Sequence, residues 1–477
     1  MISGSKSEWR LVLFVLLLVS VLILVCSSAP ALPIWVALGT SGVGLFGVVA
    51  LRWPETFLAA SIFMPQWKSS WPLSRITFVD LTLVTLAGLF VGLLWKVLKQ
   101  FSGLERRNLA DSFRGQWKIL AAYGAFCATV ALSLAYTDSP TYGSAKLLRL
   151  VLIGTLLLVS GLILMRDEAD FRRFALLFVL CGCVTSVQMV LHLQIRAANA
   201  EGDITRIGAG WLLGMSILLL LCFPLLQNIR GRSLLILVCA AILVAGLVAS
   251  AARGPAVSLA LVLPLTFFAF AKQKLSSSSV LAGVLLLVTC SGSYLYLRQA
   301  DPEKFSSKAG ELLQLSEGGK ASGSGAKRLE FYLRTLSAIP DHLWLGQGVG
   351  SWSFFYYGRD VRGYPHNLFL ETTFEEGLVG QFLMLIFLVL VTSAAYRLSR
   401  ISRGLYGVLP GLLLYCVLVS MFSGDLDDNR IIWVWCGVTM AVWRNAREQG
   451  FLHIGTTARR VPSYANSVSL QRASVES

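Results

Sequence analysis

Charge is scarce in this sequence: Asp, Glu, Lys and Arg make up 14% of its 477 residues, against 55% hydrophobic ones, and the mean hydropathy is +0.68. A soluble domain carries about 25% charged residues, so the composition excludes a soluble globular protein and places the chain in lipid. Polar and apolar residues also fail to alternate within the hydrophobic stretches. Runs such as Leu11 to Ser27 and Leu148 to Met165 are apolar all round, reach roughly the 20 residues that a spanning helix needs, and satisfy their backbone only as helices, not as barrel strands. No soluble domain follows the first run, because Ser27-Ser28-Ala29 leads straight into further spans; the run is a retained helix, not a cleaved signal. No internal repeat occurs, which weighs against transporter folds built from duplicated halves.

What polar chemistry there is has a restricted placement. The nine cysteines lie within apolar runs or at their ends, and Cys181-x-Cys183 points its two thiols to different faces of a helix, so they are small hydrophobes rather than metal ligands. A formal charge of +15 would suggest nucleic acid in a soluble protein, but here the basic residues cluster between spans, where the positive-inside rule accounts for them. No nucleic-acid partner is expected.

Spans are expected near 11–27, 32–51, 55–66, 77–97, 118–136, 147–165, 174–194, 208–226, 233–250, 255–271, 279–297, 377–396, 405–422 and 430–444. The third is short and is ended by Pro65. Counting it as a crossing puts Lys6/Arg10, Arg52, the stretch from Lys96 to Lys118, Arg166/Arg172/Arg173, Arg230/Arg232, Lys272/Lys274, Arg397/Arg400/Arg403 and the basic tail on one side, the cytoplasm. The expected fold is an all-α polytopic membrane protein of about 12–14 transmembrane helices, with both termini inside and one large outer loop containing amphipathic helices. It divides into N-terminal membrane helices (1–297), the loop (298–376), C-terminal membrane helices (377–444) and a cytoplasmic basic tail (445–477). Within the loop, 316–326 is a flexible linker, and Arg328 to Ile339 sets Leu329, Tyr332, Leu333, Leu336 and Ile339 on one face, as in a helix lying in the membrane interface.

Against this topology a few basic residues stand at outer span ends: Lys146, Arg196, Arg206, Arg253, Arg328 and Arg334. One such residue is more often an interfacial anchor than a ligand. Arg253 is stronger, because Ala252-Arg253-Gly254-Pro255 is a tight turn that sets a guanidinium at a helix N-terminus, where free backbone N–H groups favour an anion. Arg206, shortly before Gly208 and Gly210, is in a looser version of that setting. An arginine fork binds two phosphate oxygens at once and stays charged when desolvated.

The loop then reads Arg328-Leu-Glu-Phe-Tyr-Leu-Arg334, Ile339-Pro340, Leu345-Gly-Gln-Gly-Val-Gly350, Pro365-His366-Asn367-Leu-Phe-Leu-Glu371 and Glu375-Glu-Gly377-Leu-Val-Gly380. This resembles the O-antigen ligase and O-antigen polymerase family, specifically over residues 250–380 and in topology elsewhere. The resemblance implies an inverting glycosyltransferase that takes a glycan from a polyprenyl diphosphate without a metal or other cofactor. It implies further that Arg253 and Arg328 hold the donor diphosphate while His366 acts on the acceptor hydroxyl, as a base or by positioning it. Elementary chemistry agrees: a diphosphate leaving group needs positive charge, and a sugar hydroxyl needs a base available near neutral pH. A lone loop histidine is otherwise more often a satisfied one.

Several alternatives stay open. Asn367, Glu371 and Glu375 form one polar stripe at helical spacing, which either orients sugar hydroxyls or hydrogen-bonds neighbouring helices. The glycine turn is no dinucleotide fingerprint, since no strand precedes it. Trp344, Trp352, Phe354, Phe355, Tyr356 and Tyr357 either stack on sugars or anchor the loop. No Asp-x-Asp stands in a nucleotide-sugar setting: Asp425-Leu-Asp427-Asp428 is an acidic outer turn with Arg430 paired internally. The expected function is polymerisation of polyprenyl-diphosphate-linked repeat units of a surface polysaccharide (O-antigen or exopolysaccharide) at the periplasmic face of a bacterial inner membrane. A ligase passing the glycan to lipid A core or another acceptor, and a lipid-linked-oligosaccharide transporter, are the alternatives. The expected partners are the lipid-linked donor, a glycan or lipid acceptor, the bilayer, and other polysaccharide assembly proteins.

Overall fold

In a computed structural model of the protein, the described residues are 52–68, 80–101, 113, 115–190, 201–225, 232–250, 252–270, 324–426 and 428–448. The expected spans 11–27, 32–51 and 279–297, Arg196, most of the 316–326 linker, Asp427 and the tail from 449 lie outside them. Among the described residues there is no strand. The helices are α1 (Glu55–Lys68), α2 (Leu81–Phe101), α3 (Trp117–Ser133), α4 (Pro140–Leu164), α5 (Glu168–Val190), α6 (Glu201–Cys222), α7 (Arg232–Ala249), α8 (Arg253–Phe270), α9 (Ser324–Ala338), α10 (Ser351–Tyr357), α11 (Leu368–Ile401), α12 (Arg403–Ser420) and α13 (Arg430–Glu448).

Seven of these, α2, α4, α5, α7, α8, α11 and α12, are long and apolar enough to cross a membrane, and α3 and the Arg206–Cys222 part of α6 are shorter apolar helices. The protein is an all-α polytopic membrane protein. Its exterior supports this: Phe90, Leu152, Leu234, Leu261, Phe268, Phe382 and Val389 point outward, a disposition suited to hydrocarbon. Helix α13 carries three arginines yet runs through the middle of the bundle, with Trp433, Trp435, Val438 and Met440 buried. Its Gly437 lies against the Leu158 backbone, and Gly161 of α4 against the Val434 and Gly437 backbones, the close approach that small residues permit between membrane helices.

The two ends of the bundle differ. At the basic end, Arg173 donates to Glu55 at 2.8 Å, Gln116 to the Met440 carbonyl at 2.9 Å, and Arg444 to the Leu162 and Met165 carbonyls at 3.3 Å. At the opposite, loop end sit the α3–α4 connection, the segment 324–367 and the α12–α13 turn. Helix α1 reaches from Glu55 at the basic end to Gln66, which lies against Gly208 near the head of α6. Pro65 does not end it. The helix continues to Lys68, since a proline forfeits one backbone bond while Trp67 donates to the Thr185 hydroxyl at 2.9 Å.

Helix α9 forms as expected, and a second face of it meets the protein. Phe331 is 3% exposed and Thr335 and Ala338 are buried, with Tyr332 and Ile339 at the edge, whereas Leu333 is 59% exposed and Leu329 and Leu336 also point away. The inner face packs on Trp352 and Phe374, and the Trp352 indole donates to the Thr335 hydroxyl at 2.8 Å. The outward leucines are the apolar face left for the interface.

Candidate functional site

The site is built on a broken helix. Within α11, Gly377 adopts φ 65°, ψ −169°, and a Cβ there would collide with the Trp344 carbonyl, so no other residue fits this backbone. The break frees backbone groups that the turn 343–350 satisfies. Gln347 N–H donates to Phe374 O at 2.9 Å and Gly348 N–H to Glu375 O at 2.8 Å, while Leu378 N–H donates to Leu343 O at 2.8 Å and Val379 N–H to Trp344 O at 3.2 Å. From α3, the Ser133 hydroxyl accepts from Val349 N–H at 3.0 Å, and the Tyr136 and Thr137 hydroxyls donate to Leu345 O at 2.6 Å and Val349 O at 2.8 Å. The glycine turn is thus a latch that fixes the loop to the bundle.

Behind the latch lies a buried ionic cluster. The Lys146 ammonium is fully buried and contacts Glu371 Oε1 and, at 2.5 Å, Glu375 Oε2. Leu426 N–H donates to the same Glu371 oxygen at 3.2 Å, which ties in the α12–α13 turn. There the Tyr142 hydroxyl donates to Asp425 at 2.8 Å, and Arg362 pairs with Asp425 at 3.4 Å and with Asp428. Arg362 therefore ion-pairs with the acidic turn, and Arg430, expected to pair internally, acts on the Asp428 carboxyl as a second, smaller cationic influence. Asp360 closes the head of α4, accepting from Thr141 N–H at 2.7 Å and Tyr142 N–H at 2.9 Å. Desolvation opposes its ionisation, but the hydrogen bonds from Ser139, Tyr142 and Thr141 outweigh it and hold the carboxyl down at about 2.

His366 sits at the edge of this framework with φ 61°, the one non-glycine residue at positive φ among those described, a conformation that histidine tolerates better than most. Its ring stacks on Phe331 at 6.0 Å and 10° and meets Tyr364 edge-on at 4.6 Å. The Tyr332 hydroxyl contacts the His366 carbonyl at 3.2 Å and the Met421 carbonyl at 3.0 Å, which ties α9, the histidine and the end of α12 together. Nδ1 is buried with no hydrogen-bond partner among the described residues. Burial first, and then the Arg328 cation, push the imidazole down to about 4, against an opposing pull from Asp425.

The arginines gather at the same end. Arg253 heads α8, and its neighbour Gly254 lies under Phe422, whose Cβ would be 2.9 Å from a Cβ at position 254; Phe422 adjoins the Met421 carbonyl that Tyr332 contacts. Gly210 of α6 packs on Ala252 and Pro255, which brings Arg206, one turn earlier, to the same level. Arg206 and Arg253 are exposed and Arg328 half-buried, and none of the three hydrogen-bonds or ion-pairs with a described residue. Arg334 does: it pairs with Glu330 at 3.2 Å and lies 5.0 Å over the Tyr356 ring.

A family model described as O-antigen ligase matches residues 235–385. Over this stretch the chain is similar to the O-antigen ligase family. It holds Arg253, Arg328, Arg334, His366, Asn367, Glu371 and Glu375, and leaves Arg206 and Lys146 outside. No curated protein matches the chain.

Within this matched region each residue of the polar stripe has a partner in the fold, while Glu371 Oε2 and Glu375 Oε1 are buried without one among the described residues. Asn367 caps α11 by accepting from Phe369 N–H at 3.0 Å and Leu370 N–H at 3.2 Å, and Glu371 and Glu375 are taken by Lys146. Of the aromatics, Trp352 is buried against Phe331 and Tyr356, while Trp344 is 68% exposed at the latch. Sequence reasoning passed over Arg362, Asp360 and Tyr142 and read Tyr332 only as part of an apolar face, because their partners lie far along the chain; the wrong-side position of Lys146 did give a signal.

Proposed function

We propose that the protein is a membrane glycosyltransferase that polymerises polyprenyl-diphosphate-linked oligosaccharide repeat units of a surface polysaccharide, with the loop end facing the periplasm of a bacterial inner membrane. The observation that carries this reading is His366: a partly buried imidazole at positive φ with an unfilled Nδ1, influenced by the Arg328 cation and at the same end of the bundle as Arg206 and Arg253, none of the three arginines having a hydrogen bond or ion pair with a described residue. Buried polar atoms normally have partners, and here a substrate hydroxyl and a diphosphate supply what the chain does not.

In the proposed reaction the acceptor hydroxyl oxygen attacks the anomeric carbon of the donor sugar from the face opposite the diphosphate, inverting that centre. The carbon–oxygen bond to the diphosphate breaks, the hydroxyl proton passes to His366, and the electron pair leaves on the polyprenyl diphosphate. Arg253 and Arg328 offset the charge that builds there, and Arg206 extends the same positive surface. Arg334 steadies α9 through Glu330, while Asn367, Glu371 and Glu375 serve by fixing the helix behind His366. No divalent ion takes part in this scheme. Transfer to a lipid A core acceptor is the second reading; it uses the same donor chemistry and is favoured by the description of the matched family.

The test is the full chain in nanodiscs with a polyprenyl-diphosphate oligosaccharide and a chelator, scored for chain extension. Wild type is expected to build a ladder, with His366→Ala slower by about 10²–10⁴ and Arg253→Ala by about 10²–10³. Unchanged ladders in both variants would overturn the mechanism, and translocation without bond formation would support a transporter. A lipid A core acceptor in the same assay separates ligase from polymerase.

A further inference from the structure

The latch holds a carboxyl that the glycan-transfer scheme does not use. Glu376, the last residue before the break in α11, is 1% exposed and turned onto α3. Gly380, one turn further on, makes the room: a Cβ there would meet that of Glu376 and come within 3.7 Å of the Thr129 methyl on α3. Glu376 makes no ion pair with a described residue, and its Oε2 is buried without a partner. The charged groups that act on it are Glu375, its neighbour on α11, and Lys146 of α4, which is already held by Glu371 and Glu375. Tyr136, just past α3, is near enough for the carboxyl to act on its phenol, and the turn 343–350 brings no charged side chain.

Counting hydrogens at Ser133 tells which form of the acid this is. A hydroxyl has one hydrogen and two lone pairs, and Ser133 Oγ has three polar neighbours: Val130 O at 2.9 Å, Val349 N at 3.0 Å and Glu376 Oε1 at 3.1 Å. The carbonyl can only accept and the peptide N–H can only donate. The one hydrogen therefore goes to Val130, and one lone pair takes Val349 N–H. The other lone pair faces Glu376 Oε1 at hydrogen-bond distance, a contact that needs a hydrogen from the carboxyl. Burial points the same way independently, since a carboxylate with one oxygen unpartnered and no cation of its own is costly to keep out of water.

We propose that Glu376 is a protonated carboxylic acid in the closed latch, donating from Oε1 to Ser133 Oγ, and that the latch opens with release of this proton. As an anion, Glu376 competes with Val130 for the serine hydrogen and disturbs the hydroxyl that anchors Val349; once the loop opens, the carboxyl meets water and ionises as an ordinary one does. The closed state thus binds one proton more than the open state. Closure weakens as pH rises above the ordinary carboxylate range, about 4.3, and levels off only where Glu376 ionises inside the closed latch as well. The latch is in this sense a pH-sensitive clasp on the loop that carries Arg328 and His366, and it stands whether or not those residues transfer a glycan.

The experiment exposes the full chain in nanodiscs to a nonspecific protease between about pH 5 and about pH 8, dividing each rate by that for an unfolded peptide. Nicking of wild type between residues 340 and 365 is expected to rise by up to about tenfold per pH unit. Glu376→Gln, whose amide N–H can donate to the same serine lone pair, is expected to stay closed with a flatter profile. Other groups of the loop titrate in both proteins, so the difference between the profiles reports Glu376. Infrared spectra at neutral pH are expected to show a carboxylic-acid band in wild type that Glu376→Gln lacks. Parallel pH profiles in the two proteins, or no acid band lost on substitution, would overturn the proposal. Should the variant fold poorly, a flat wild-type profile overturns it alone. No step of this test depends on catalysis, so its failure and that of the glycan-transfer reading are distinct.

Discussion

Two sets of charges share the loop end and are treated in opposite ways by the fold. Lys146, Glu371, Glu375, Asp425 and Arg362 are drawn into one connected cluster whose partners all belong to the chain. Arg206, Arg253 and Arg328 have no hydrogen bond or ion pair with a described residue and are exposed or half-buried at the same end of the bundle. A guanidinium kept near lipid without a counter-ion is costly unless its counter-ion arrives from outside. The difference therefore separates charges that hold the loop in place from charges that, in the proposed function, meet an anionic substrate.

The sharpest way to break that division is at Lys146. Lys146→Met leaves Glu371 and Glu375 buried without their cation, and removing one partner from a buried pair costs about 3–5 kcal/mol. The expected outcome is a large fall in thermal stability, read by melting in detergent, whereas Arg253→Gln is expected to melt like wild type. A Lys146→Met, Glu371→Gln, Glu375→Gln triple variant is expected to recover much of the loss, because replacing a whole buried ionic group is far cheaper than breaking it. A stable but inactive Lys146→Met would move this lysine into the substrate-binding set.

A smaller effect is expected where the loop meets the bundle. Gly377→Ala puts a Cβ into the Trp344 carbonyl at a backbone conformation that only glycine adopts comfortably, with a strain of order 1–3 kcal/mol. The latch is expected to open rather than the bundle to unfold, so protease nicking between residues 340 and 365 should rise with little change in melting temperature. A resistant loop would show that the ionic cluster alone holds it.

How much of this was legible in the sequence depends on the range of each interaction. The helices follow from apolar run length, a local property, and the wrong-side position of Lys146 and Arg253 follows from counting charge along the chain. Partners do not follow, because Arg362 lies 63 residues before Asp425, and Lys146 lies 225 before Glu371; nothing local favours Arg362 over Arg430 for the acidic turn. The inner face of α9 was hidden for a different reason. The stripe of Leu329, Leu333 and Leu336 read from the sequence is the exposed one, and the second stripe, Phe331, Thr335 and Ala338, meets partners that only the fold brings to it. The break at Gly377 is invisible in composition, since the same glycine within an unbroken helix would be tolerated at a cost of about 1 kcal/mol.

The finest point of the comparison is the contact between the two sets, where an unpaired arginine acts on the histidine. With no anion bound, burial and then Arg328 hold His366 down at about 4, so the imidazole is neutral and able to accept a proton throughout the neutral range, though weakly basic. A donor diphosphate next to Arg328 would cancel that cation and raise the histidine, strengthening the base when it is needed. The acid limb of kcat/KM, which reports the free protein, is therefore expected near pH 4, and that of kcat, which reports the donor complex, at higher pH. Arg328→Gln removes the second cause of the depression and is expected to move the kcat/KM limb upward, by something on the order of one pH unit, or 1.36 kcal/mol. Arg334→Gln, whose guanidinium is held by Glu330 and Tyr356, is expected to leave it in place. Identical acid limbs in wild type and Arg328→Gln would show that burial alone sets the histidine, and that Arg328 belongs with the charges that only hold the loop.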